Sequence, residues 1–267
     1  MRNLTVIGGN GKTGRRVIQR LTARAIPVRS VSRTSPVPFD WATPATWAPA
    51  VRGSDALYIT YHPDLAFPGA AEAIRGVADA AVAEGVRRLV LLSGRGEEEA
   101  VVSEQGVIES GAEWTVVRGS WFNQNFSEGA LAEPVQAGVI ALPAGDQVEP
   151  FLDAEDIADV VVKVLTEDGH HGRAYDLTGP RPLSIADVAA EISQAAGREV
   201  RYIPVSPEEY SATLIGYGMP KEEAVLLTAL FTKILDGRNA RPTTTVQDLL
   251  GRPARDFTTF AREAFSA

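Results

Sequence analysis

The stretch VIGGNGKTGRRV, residues 6–17, indicates how the first half of the chain folds. It matches Gly-x-Gly-x-x-Gly from Gly9 to Gly14 and the looser Gly-x-x-Gly-x-x-Gly from Gly8 to Gly14. In dinucleotide-binding turns the first glycine permits a tight turn, the second lets the backbone approach a pyrophosphate, and the third lets the helix pack against the sheet. The pyrophosphate accepts hydrogen bonds from N–H groups at the helix start. The pattern therefore predicts a dinucleotide site.

A second interpretation of this stretch is a triphosphate-binding P-loop, because Gly11-Lys12-Thr13 resembles the end of that motif. A P-loop has the pattern Gly-x-x-x-x-Gly-Lys-[Ser/Thr], so its first glycine would have to be residue 6. Residue 6 is Val6, and Gly8 lies too close to Gly11 for the loop to wrap around a β-phosphate. The spacing therefore favours the dinucleotide turn.

The segments on both sides of the glycine turn have the periodicity that such a turn requires. The run NLTVIGG (3–9) is typical of a buried strand, and RRVIQRLTARAI (15–26) places Val17, Ile18 and Leu21 on one helical face. The run PVRSVSR (27–33) then predicts a second strand. A strand, a glycine turn, a helix and a second strand form the context in which the motif is specific.

The composition restricts the class of protein. The 267 residues carry a net charge of −8 with a pI near 5.0, which argues against an electrostatic nucleic-acid surface. We find no apolar run long enough for a membrane span and no signal peptide, so we expect a cytoplasmic protein. Because the chain has no cysteine and 3 histidines, we expect no disulfide, no thiol nucleophile and no metal site.

Strands and helices alternate beyond the glycine turn. The apolar patterns predict strands at 55–61, 87–94 and 113–122, and helices at 69–86 and 97–111. Near-continuous apolar strands that alternate with helices predict an α/β fold, with a doubly wound parallel sheet covered on both faces. The proline-rich segment before these elements is expected to hold a short strand at PFDW (38–41) and one helical turn.

We predict two domains. Residues 1–180 are expected to form a Rossmann domain that binds NAD(P), and residues 122–152 contribute to its cleft. Residues 181–267 are expected to form a smaller, mostly helical substrate or lid domain. Capping boxes are predicted at two helix starts in this part, formed by Ser184 with Asp187 and by Ser206 with Glu209.

The end of the second strand indicates which dinucleotide binds. A carboxylate there hydrogen-bonds the ribose 2′-hydroxyl of NAD, whereas an arginine accommodates the 2′-phosphate of NADP. No carboxylate follows this strand before Asp40, and Arg33 occupies the position. We therefore predict NADP(H), with Lys12 as a second cation near the phosphates and Asp40 near the adenine if PFDW forms the third strand. The alternative is that Arg33 and Lys12 are solvent-exposed charges without a ligand.

With these residues in place, the chain resembles the NmrA-like group of atypical short-chain dehydrogenases. The resemblance covers nearly the whole chain and rests on these segments in order: VIGGNGKTG, VSR, AEGVRRLVLLSG, IESGAEWTVVRGSWFNQNF, FLDAEDIADVVVKVL, GRAYDLTGPRPLSIADVA and GRPARDFTTFA. It implies a Rossmann core, a small helical C-terminal region and a substrate cleft between them. Members include NADPH-dependent quinone and azo-compound reductases, and redox sensors that bind NADP(H) without catalysis. Related proteins tailor aromatic polyketide quinones.

The usual acid of short-chain dehydrogenases, a Tyr-x-x-x-Lys pair on one helical face, is absent from the predicted helix 97–111. Tyr217 and Lys221 have the spacing, but Gly218 and Pro220 between them oppose a helix. Ala100 stands where many relatives have a lysine. Hydride addition to a quinone yields a stabilised phenolate that water can protonate, so such a reaction asks the protein mainly for positioning.

The candidate site residues follow the predicted strands, at the carboxyl edge of the sheet. The catalytic candidates are His62 and Ser93, whose alternatives are a loop histidine without a role and a strand-end hydroxyl that caps the next loop. The predicted cofactor-binding residues are Gly8, Asn10, Gly11, Lys12, Thr13, Gly14, Arg33, Asp40, Thr60, Tyr61 and Ser93. The predicted substrate pocket contains Tyr61, His62, Trp121, Phe122 and Asn125, although the two aromatic residues after position 120 could be core.

The function predicted from these residues and the resemblance is hydride transfer from NADPH to a quinone-like or flat aromatic acceptor. The alternatives are an NADP(H) sensor that regulates a partner protein and a dedicated tailoring enzyme of aromatic polyketide biosynthesis. The expected partner is a small aromatic substrate, with no direct contact to nucleic acid or membrane. We expect a monomer or a homodimer.

Overall fold

The computed structural model describes residues 3–266. The strands are β1 (Leu4–Ile7), β2 (Val28–Val31), β3 (Ala56–Ile59), β4 (Arg88–Gly94), β5 (Glu113–Gly119), β6 (Val139–Leu142), β7 (Val148–Glu149), β8 (Arg173–Leu177), β9 (Leu183–Ser184) and β10 (Arg201–Pro204). The helices are α1 (Lys12–Ala23), α2 (Trp47–Val51), α3 (Ala70–Ala83), α4 (Glu98–Ile108), α5 (Asn125–Glu128), α6 (Ala132–Gln136), α7 (Ala154–Thr166), α8 (Ile185–Ala196), α9 (Pro207–Gly216), α10 (Lys221–Ile234), α11 (Thr245–Leu250) and α12 (Phe257–Phe265). No helix within the described range combines the length and apolar character that crossing a membrane would need.

The chain forms two compact units, each built from separate stretches of sequence. The first unit contains residues 3–119, 154–177 and 248–251, and the second contains residues 120–153, 178–247 and 252–266. The predicted division at residue 180 is linear, whereas the observed units interleave. This difference arises because the chain leaves the large sheet after β5 and returns to it with α7 and β8.

The first unit is built on one parallel sheet with the strand order β2-β1-β3-β4-β5-β8. All five pairings are parallel. Every residue of β1 and β3 is buried, as expected for strands covered by helices on both faces. The predicted α/β fold with a Rossmann-like sheet is confirmed. The chain places β2 on one side of β1 and then crosses to place β3 on the other side. Sheets of this kind bind their ligands at the carboxyl ends of the strands, at that point beside β1.

Ion pairs join the two helices that pack together on this sheet, α1 and α7. Arg16 Nε lies 2.5 Å from Glu155 Oε1, and Arg20 Nη2 lies 2.7 Å from Glu155 Oε2. Arg20 also pairs with Asp159. These arginines stand just after the glycine turn, so the network holds the first turns of α1 against the unit.

The predicted strand at PFDW (38–41) is wrong. These residues form an irregular segment that precedes a short 3-10 turn, Pro44–Thr46, and α2. Two prolines, Pro36 and Pro38, have no N–H to donate to a strand ladder, and a proline in a central strand is therefore disfavoured. The segment is held instead by a loop-closing bond from Phe39 N to Ser32 O, 2.9 Å, and by aromatic packing. The predicted helical turn is present.

The strand predicted at 113–122 ends earlier, at Gly119. Beyond that point the backbone pairs with a different segment, because Leu152 N donates to Trp121 O at 2.8 Å and Asn123 N donates to Leu152 O at 2.9 Å. Phe122 and Leu152 form an isolated parallel bridge. The residues after β5 therefore belong to the second unit.

The second unit packs short strands and helices around an aromatic core. Its two small sheets pair β10 with β6 in parallel and β7 with β9 antiparallel. Four phenylalanines form the centre of this core: Phe126, Phe151, Phe257 and Phe260. Both predicted capping boxes are present, at the starts of α8 and α9. Each satisfies two backbone N–H groups that the helix itself leaves without a partner.

Candidate functional site

The glycine turn between β1 and α1 is closed so tightly that side chains would not fit. Gly8 has φ = +76°, and a Cβ atom there would lie 2.2 Å from Thr60 Oγ1. A Cβ atom on Gly14 would lie 2.3 Å from the carbonyl oxygen of Gly8, which also accepts the Gly11 N–H at 2.9 Å. No side chain caps the start of α1. The turn therefore fits the pyrophosphate of a dinucleotide, which needs bare backbone at a helix start.

Two of the predicted cofactor residues direct their hydroxyl groups into the protein. Thr13 Oγ1 accepts a hydrogen bond from the buried Tyr58 hydroxyl at 3.0 Å, and burial raises the pKa of that tyrosine. Thr60 Oγ1 donates to Ile7 O at 2.9 Å. These bonds connect β1, β3 and α1 around the turn. Both side chains therefore support the shape of the turn, and a direct role in cofactor binding stays a prediction.

The turn after β2, which contains Ser32, Arg33 and Thr34, lies beside Asn10 of the glycine turn. Ser32 Oγ lies 3.5 Å from Asn10 Nδ2 and 3.4 Å from the Thr34 N–H, so the glycine turn and the second-strand turn are in contact. Arg33, which stands between Ser32 and Thr34 in the chain, is exposed on this turn. Within residues 3–266 no carboxylate forms an ion pair with this guanidinium group. Its position suits the 2′-phosphate of NADP.

Asp40 has a structural role that the sequence did not indicate. Its Oδ1 accepts the Ala42 N–H at 3.0 Å, and its carbonyl oxygen accepts the indole N–H of Trp47 at 2.9 Å. The adenine contact predicted for Asp40 depended on a third strand at this point, and that strand is absent. Asp40 therefore holds the irregular segment in place.

The segment after β3 carries Tyr61 and His62. The Tyr61 ring packs on the Trp41 ring with their centroids 4.8 Å apart, and burial, with the nearby Glu72 carboxylate, raises the pKa of Tyr61. His62 is exposed. The structure thus places both predicted residues at the carboxyl edge of the large sheet, with the tyrosine half-buried against an aromatic cluster.

Asp64 of this segment belongs to a carboxyl pair that no sequence motif indicates. The side chains of Asp64, after β3, and Glu97, after β4, hydrogen-bond each other. Two carboxyl groups can share a hydrogen bond only when one of them carries a proton. Burial raises the pKa of Asp64, while the Ala66 N–H, 2.8 Å from Oδ1, and the bond to Glu97 oppose the shift. No sequence motif connects these two positions, which meet because β3 and β4 are neighbours.

The end of β4 holds Ser93, whose environment differs from that of the usual dehydrogenase serine. Its hydroxyl donates to Glu104 Oε1 at 2.7 Å. Arg118 on β5 donates to the same carboxylate through Nε at 2.8 Å and Nη2 at 2.6 Å. Ser93 is therefore at the predicted place, but its partner is the buried Glu104 carboxylate, which is paired with Arg118. The catalytic role of Ser93 stays a prediction, as does that of His62.

The remaining predicted pocket residues lie in the second unit. The Trp121 ring contacts Phe231 edge-on at 5.1 Å between centroids, and it also packs near Phe126 and Phe151. Phe122 is half-buried beside its backbone bridge. Asn125 begins α5, with its N–H donating to Phe122 O at 3.0 Å. These side chains thus share one segment, and their assignment to a substrate pocket stays a prediction.

Asn123 and Gln124, which lie between Phe122 and Asn125 in the chain, are buried amides whose hydrogen-bonding environments are opposite. Gln124 Nε2 donates to Asp153 Oδ1 at 2.7 Å, and Arg255 Nε donates to the other oxygen of that carboxylate at 3.1 Å. Asn123 is fully buried, yet within the described residues neither its Nδ2 nor its Oδ1 has a hydrogen-bond partner. Such a group is uncommon in folded proteins and costs stability.

Two further expectations concern catalysis. Tyr217 is the residue that follows α9, and Lys221 begins α10, so they do not share one helical face as a Tyr-x-x-x-Lys pair requires. Within residues 3–266 no group of three or more histidine, aspartate or glutamate side chains could hold a metal ion.

Comparisons with known proteins agree with this geometry. Residues 8–168 match the NAD(P)H-binding family. The chain is 31% identical over 280 residues to an NAD(P)H azoreductase of Xenophilus azovorans, covering 97% of this chain and 96% of the relative. It is 33% identical over 282 residues to a (4-alkanoyl-5-oxo-2,5-dihydrofuran-3-yl)methyl phosphate reductase of Streptomyces griseus, covering 97% of both.

Among solved structures, an NADPH-dependent quinone oxidoreductase of Escherichia coli in complex with NADPH has a TM-score of 0.82 at 24% identity, covering 98% of this chain and 100% of the other. This likeness confirms the fold. The family match covers the glycine turn from Gly8, the strand β2 that follows α1, and the carboxyl ends of β3, β4 and β5. The chain therefore belongs to the NAD(P)H-binding family and is an NAD(P)H-dependent oxidoreductase.

Proposed function

We propose that this chain transfers a hydride from NADPH to a quinone-like or other flat aromatic acceptor. The observation that carries the proposal is the glycine turn, where only bare backbone fits at Gly8 and Gly14. The names of relatives support the acceptor class, since they include an azoreductase and a quinone oxidoreductase. Azo compounds and quinones are both flat, conjugated and electron-poor.

The preference for NADPH over NADH is argued from Arg33. This side chain is exposed beside Ser32 and Thr34, and no described carboxylate forms an ion pair with it. A guanidinium group without a protein counter-ion is suited to a phosphate, whereas a ribose 2′-hydroxyl calls for a carboxylate at this position. Arg33 would therefore bind the 2′-phosphate.

The chain's own residues would bind and orient the reactants. The glycine turn and the uncapped start of α1 would bind the pyrophosphate. A bound NADPH supplies the hydride. Since α4 has no tyrosine and no lysine, the protein offers no Tyr–Lys acid to a ketone oxygen. The site is therefore suited to acceptors whose reduced form is a stabilised anion, which takes its proton from water.

The test is the consumption of NADPH and of NADH with a panel of benzoquinones, naphthoquinones, anthraquinones and azo compounds, with simple ketones as the control class. We expect turnover with the conjugated acceptors, a preference for NADPH, and none with simple ketones. Confirmed NADPH binding without turnover of any acceptor would contradict the proposal. That result would favour the sensor or a dedicated tailoring enzyme.

A further inference from the structure

The Ser93 hydroxyl, at the carboxyl end of β4, is held by an ion pair whose carboxylate is buried. Its oxygen donates to Glu104 Oε1 at 2.7 Å, and the Glu104 side chain is fully buried. Arg118 occupies both oxygens of that carboxylate, through Nε at 2.8 Å and Nη2 at 2.6 Å. Ser93 itself is 5% exposed. The three side chains thus form one hydrogen-bonded set, which begins with Ser93 at the carboxyl end of β4 and continues to the buried Glu104.

This set determines the direction of the Ser93 hydrogen bond. A carboxylate that receives two N–H bonds from a guanidinium group is ionised, and an ionised carboxylate can only accept hydrogen bonds. The one hydrogen of the Ser93 hydroxyl must therefore point to Glu104. Only the oxygen lone pairs of Ser93 remain for a ligand. A serine that polarises a substrate carbonyl must donate its hydrogen, so Ser93 is unsuited to that task.

The position of Ser93 relative to the sheet indicates which ligand group it would meet. The glycine turn follows β1, and Arg33 follows β2 on one side of it. On the other side lie β3 and then β4, whose last residues are Ser93 and Gly94. A dinucleotide lies across the carboxyl ends of the strands, with its pyrophosphate at the turn. With its adenosine half on the β2 side, its nicotinamide half extends toward β3 and β4.

We propose that Glu104 sets Ser93 as a hydrogen-bond acceptor for an N–H donor, namely the carboxamide NH₂ of the nicotinamide. Glu104 is then a positioning residue, and Ser93 is the group that contacts the cofactor. The inference rests on the proposed function in that it requires NADPH as the cofactor. An N–H group on the acceptor is the other possible source of the same chemistry, and the experiment separates the two.

The experiment compares the binding of two reduced dinucleotides in the absence of any acceptor. One is NADPH, and the other is its 3-acetylpyridine analogue, which keeps the carbonyl group but has a methyl group in place of the NH₂. Dissociation constants are measured by dinucleotide fluorescence for the wild type and for Ser93→Ala. We expect the wild type to prefer NADPH by about 2- to 12-fold, the range for one neutral hydrogen bond, and Ser93→Ala to lose that preference.

Control variants separate this role from a general effect on folding. Ser103, on α4, has another buried hydroxyl, which donates to Leu65 O at 2.8 Å. Ser103→Ala removes it and should leave the preference unchanged. Ser93→Thr keeps a hydroxyl group and should retain the preference. Glu104→Gln can donate an amide N–H to Ser93, which turns the hydroxyl hydrogen outward, and it should abolish the preference. If Glu104→Gln does not fold, the two Ser93 variants still decide.

Three results would overturn the inference. The preference for NADPH could persist in Ser93→Ala, or that variant could weaken both dinucleotides equally, as a structural role would predict. In a separate turnover assay, Ser93→Ala could raise only the Michaelis constant of an amino-substituted acceptor and leave the dinucleotide preference intact, which would exclude the carboxamide as the partner. Because the titration contains no acceptor, an inactive enzyme in the quinone panel would not affect its result.

Discussion

The carboxyl edge of the sheet in the first unit and the start of the last helix in the second unit differ in how their charged side chains are paired. At the sheet edge Arg33 has no carboxylate partner within residues 3–266, and Asp64 faces another carboxyl group, Glu97. At the start of α12, Arg181 donates to Asp256 through Nε at 2.7 Å and Nη2 at 2.8 Å. Charge is thus matched at the start of α12. At the sheet edge Glu104 and Arg118 are paired, whereas Arg33 and Asp64 form no ion pair within residues 3–266.

The consequence is visible in the pKa values of the two aspartates. The hydrogen bonds from Arg181 hold the pKa of Asp256 well below its usual range, and burial opposes that shift. Burial raises the pKa of Asp64, because it removes hydration from the charged carboxylate. Matched charge contributes to folding, whereas unmatched charge and raised carboxyl pKa values are typical of sites that bind or react.

The largest effect is expected for Arg33→Ala. We expect the dissociation constant of NADPH to rise about 10- to 100-fold, as for the loss of a charge-assisted hydrogen bond, and that of NADH to change little. The free energy of unfolding should stay within error of the wild type. Arg24→Ala, which removes an exposed arginine at the far end of α1, is the control. Equal losses for both dinucleotides would contradict the assignment of Arg33 to the 2′-phosphate.

For Arg181→Ala we expect the converse, namely a lower free energy of unfolding with unchanged NADPH binding. It removes the bonds to Asp256, together with a bond to Glu191 at 2.6 Å, and should lower the free energy of unfolding by about 1–2 kcal/mol in urea denaturation. Solvent screening limits the effect, because the side chains of Arg181 and Asp256 are 38% and 34% exposed.

The same variant should also change the acid limb of the stability profile. A carboxyl group whose pKa is lowered by folding contributes stability above its ordinary pKa and loses it as the pH falls. The wild type should therefore lose stability in acid more steeply than Arg181→Ala. Unchanged NADPH binding in this variant is part of the expectation, and a loss of binding would break the comparison between the two regions.

A smaller effect of opposite sign is expected for Asp64→Asn. Between the ordinary and the raised pKa, the folded state holds more protons than the unfolded state, so the free energy of unfolding falls as the pH rises through that interval. Asparagine does not titrate and can donate to Glu97, so the variant should not show this fall. Thermal melts from pH 4 to pH 8 would measure it, with the exposed Asp79→Asn as the control. Identical profiles for wild type and variant would be the contrary result.

The smallest effect is expected within the segment after β5. Asn123→Leu should raise the free energy of unfolding by about 0.5–1 kcal/mol, because it removes a buried amide that has no described partner. Gln124→Leu should lower it, because Asp153 would lose the bond from Nε2. If Asn123→Leu is as destabilising as Gln124→Leu, the Asn123 amide has a partner, such as a buried water.

Much of the fold could be predicted because it depends on local pattern. The glycine turn, the apolar run of each strand and the capping boxes at Ser184 and Ser206 each involve residues within a few positions of one another. The strand at PFDW could not be judged in this way. Its aromatic residues favour a strand, but Pro38 and the nearby Pro36 have no N–H to donate to a strand ladder, and the aromatic packing of Trp41 holds the segment instead.

The sequence by itself determined a dinucleotide-binding strand–turn–helix unit, the arginine after β2 and the absence of a Tyr–Lys acid on α4. The tertiary structure decided which charges meet. Ser93, Glu104 and Arg118 come from three elements, and Asp64 meets Glu97 only because β3 and β4 are neighbours in the sheet. The physical reason is that strand order and register, set by burial of whole faces, determine contacts between residues far apart in sequence, and no local periodicity records them.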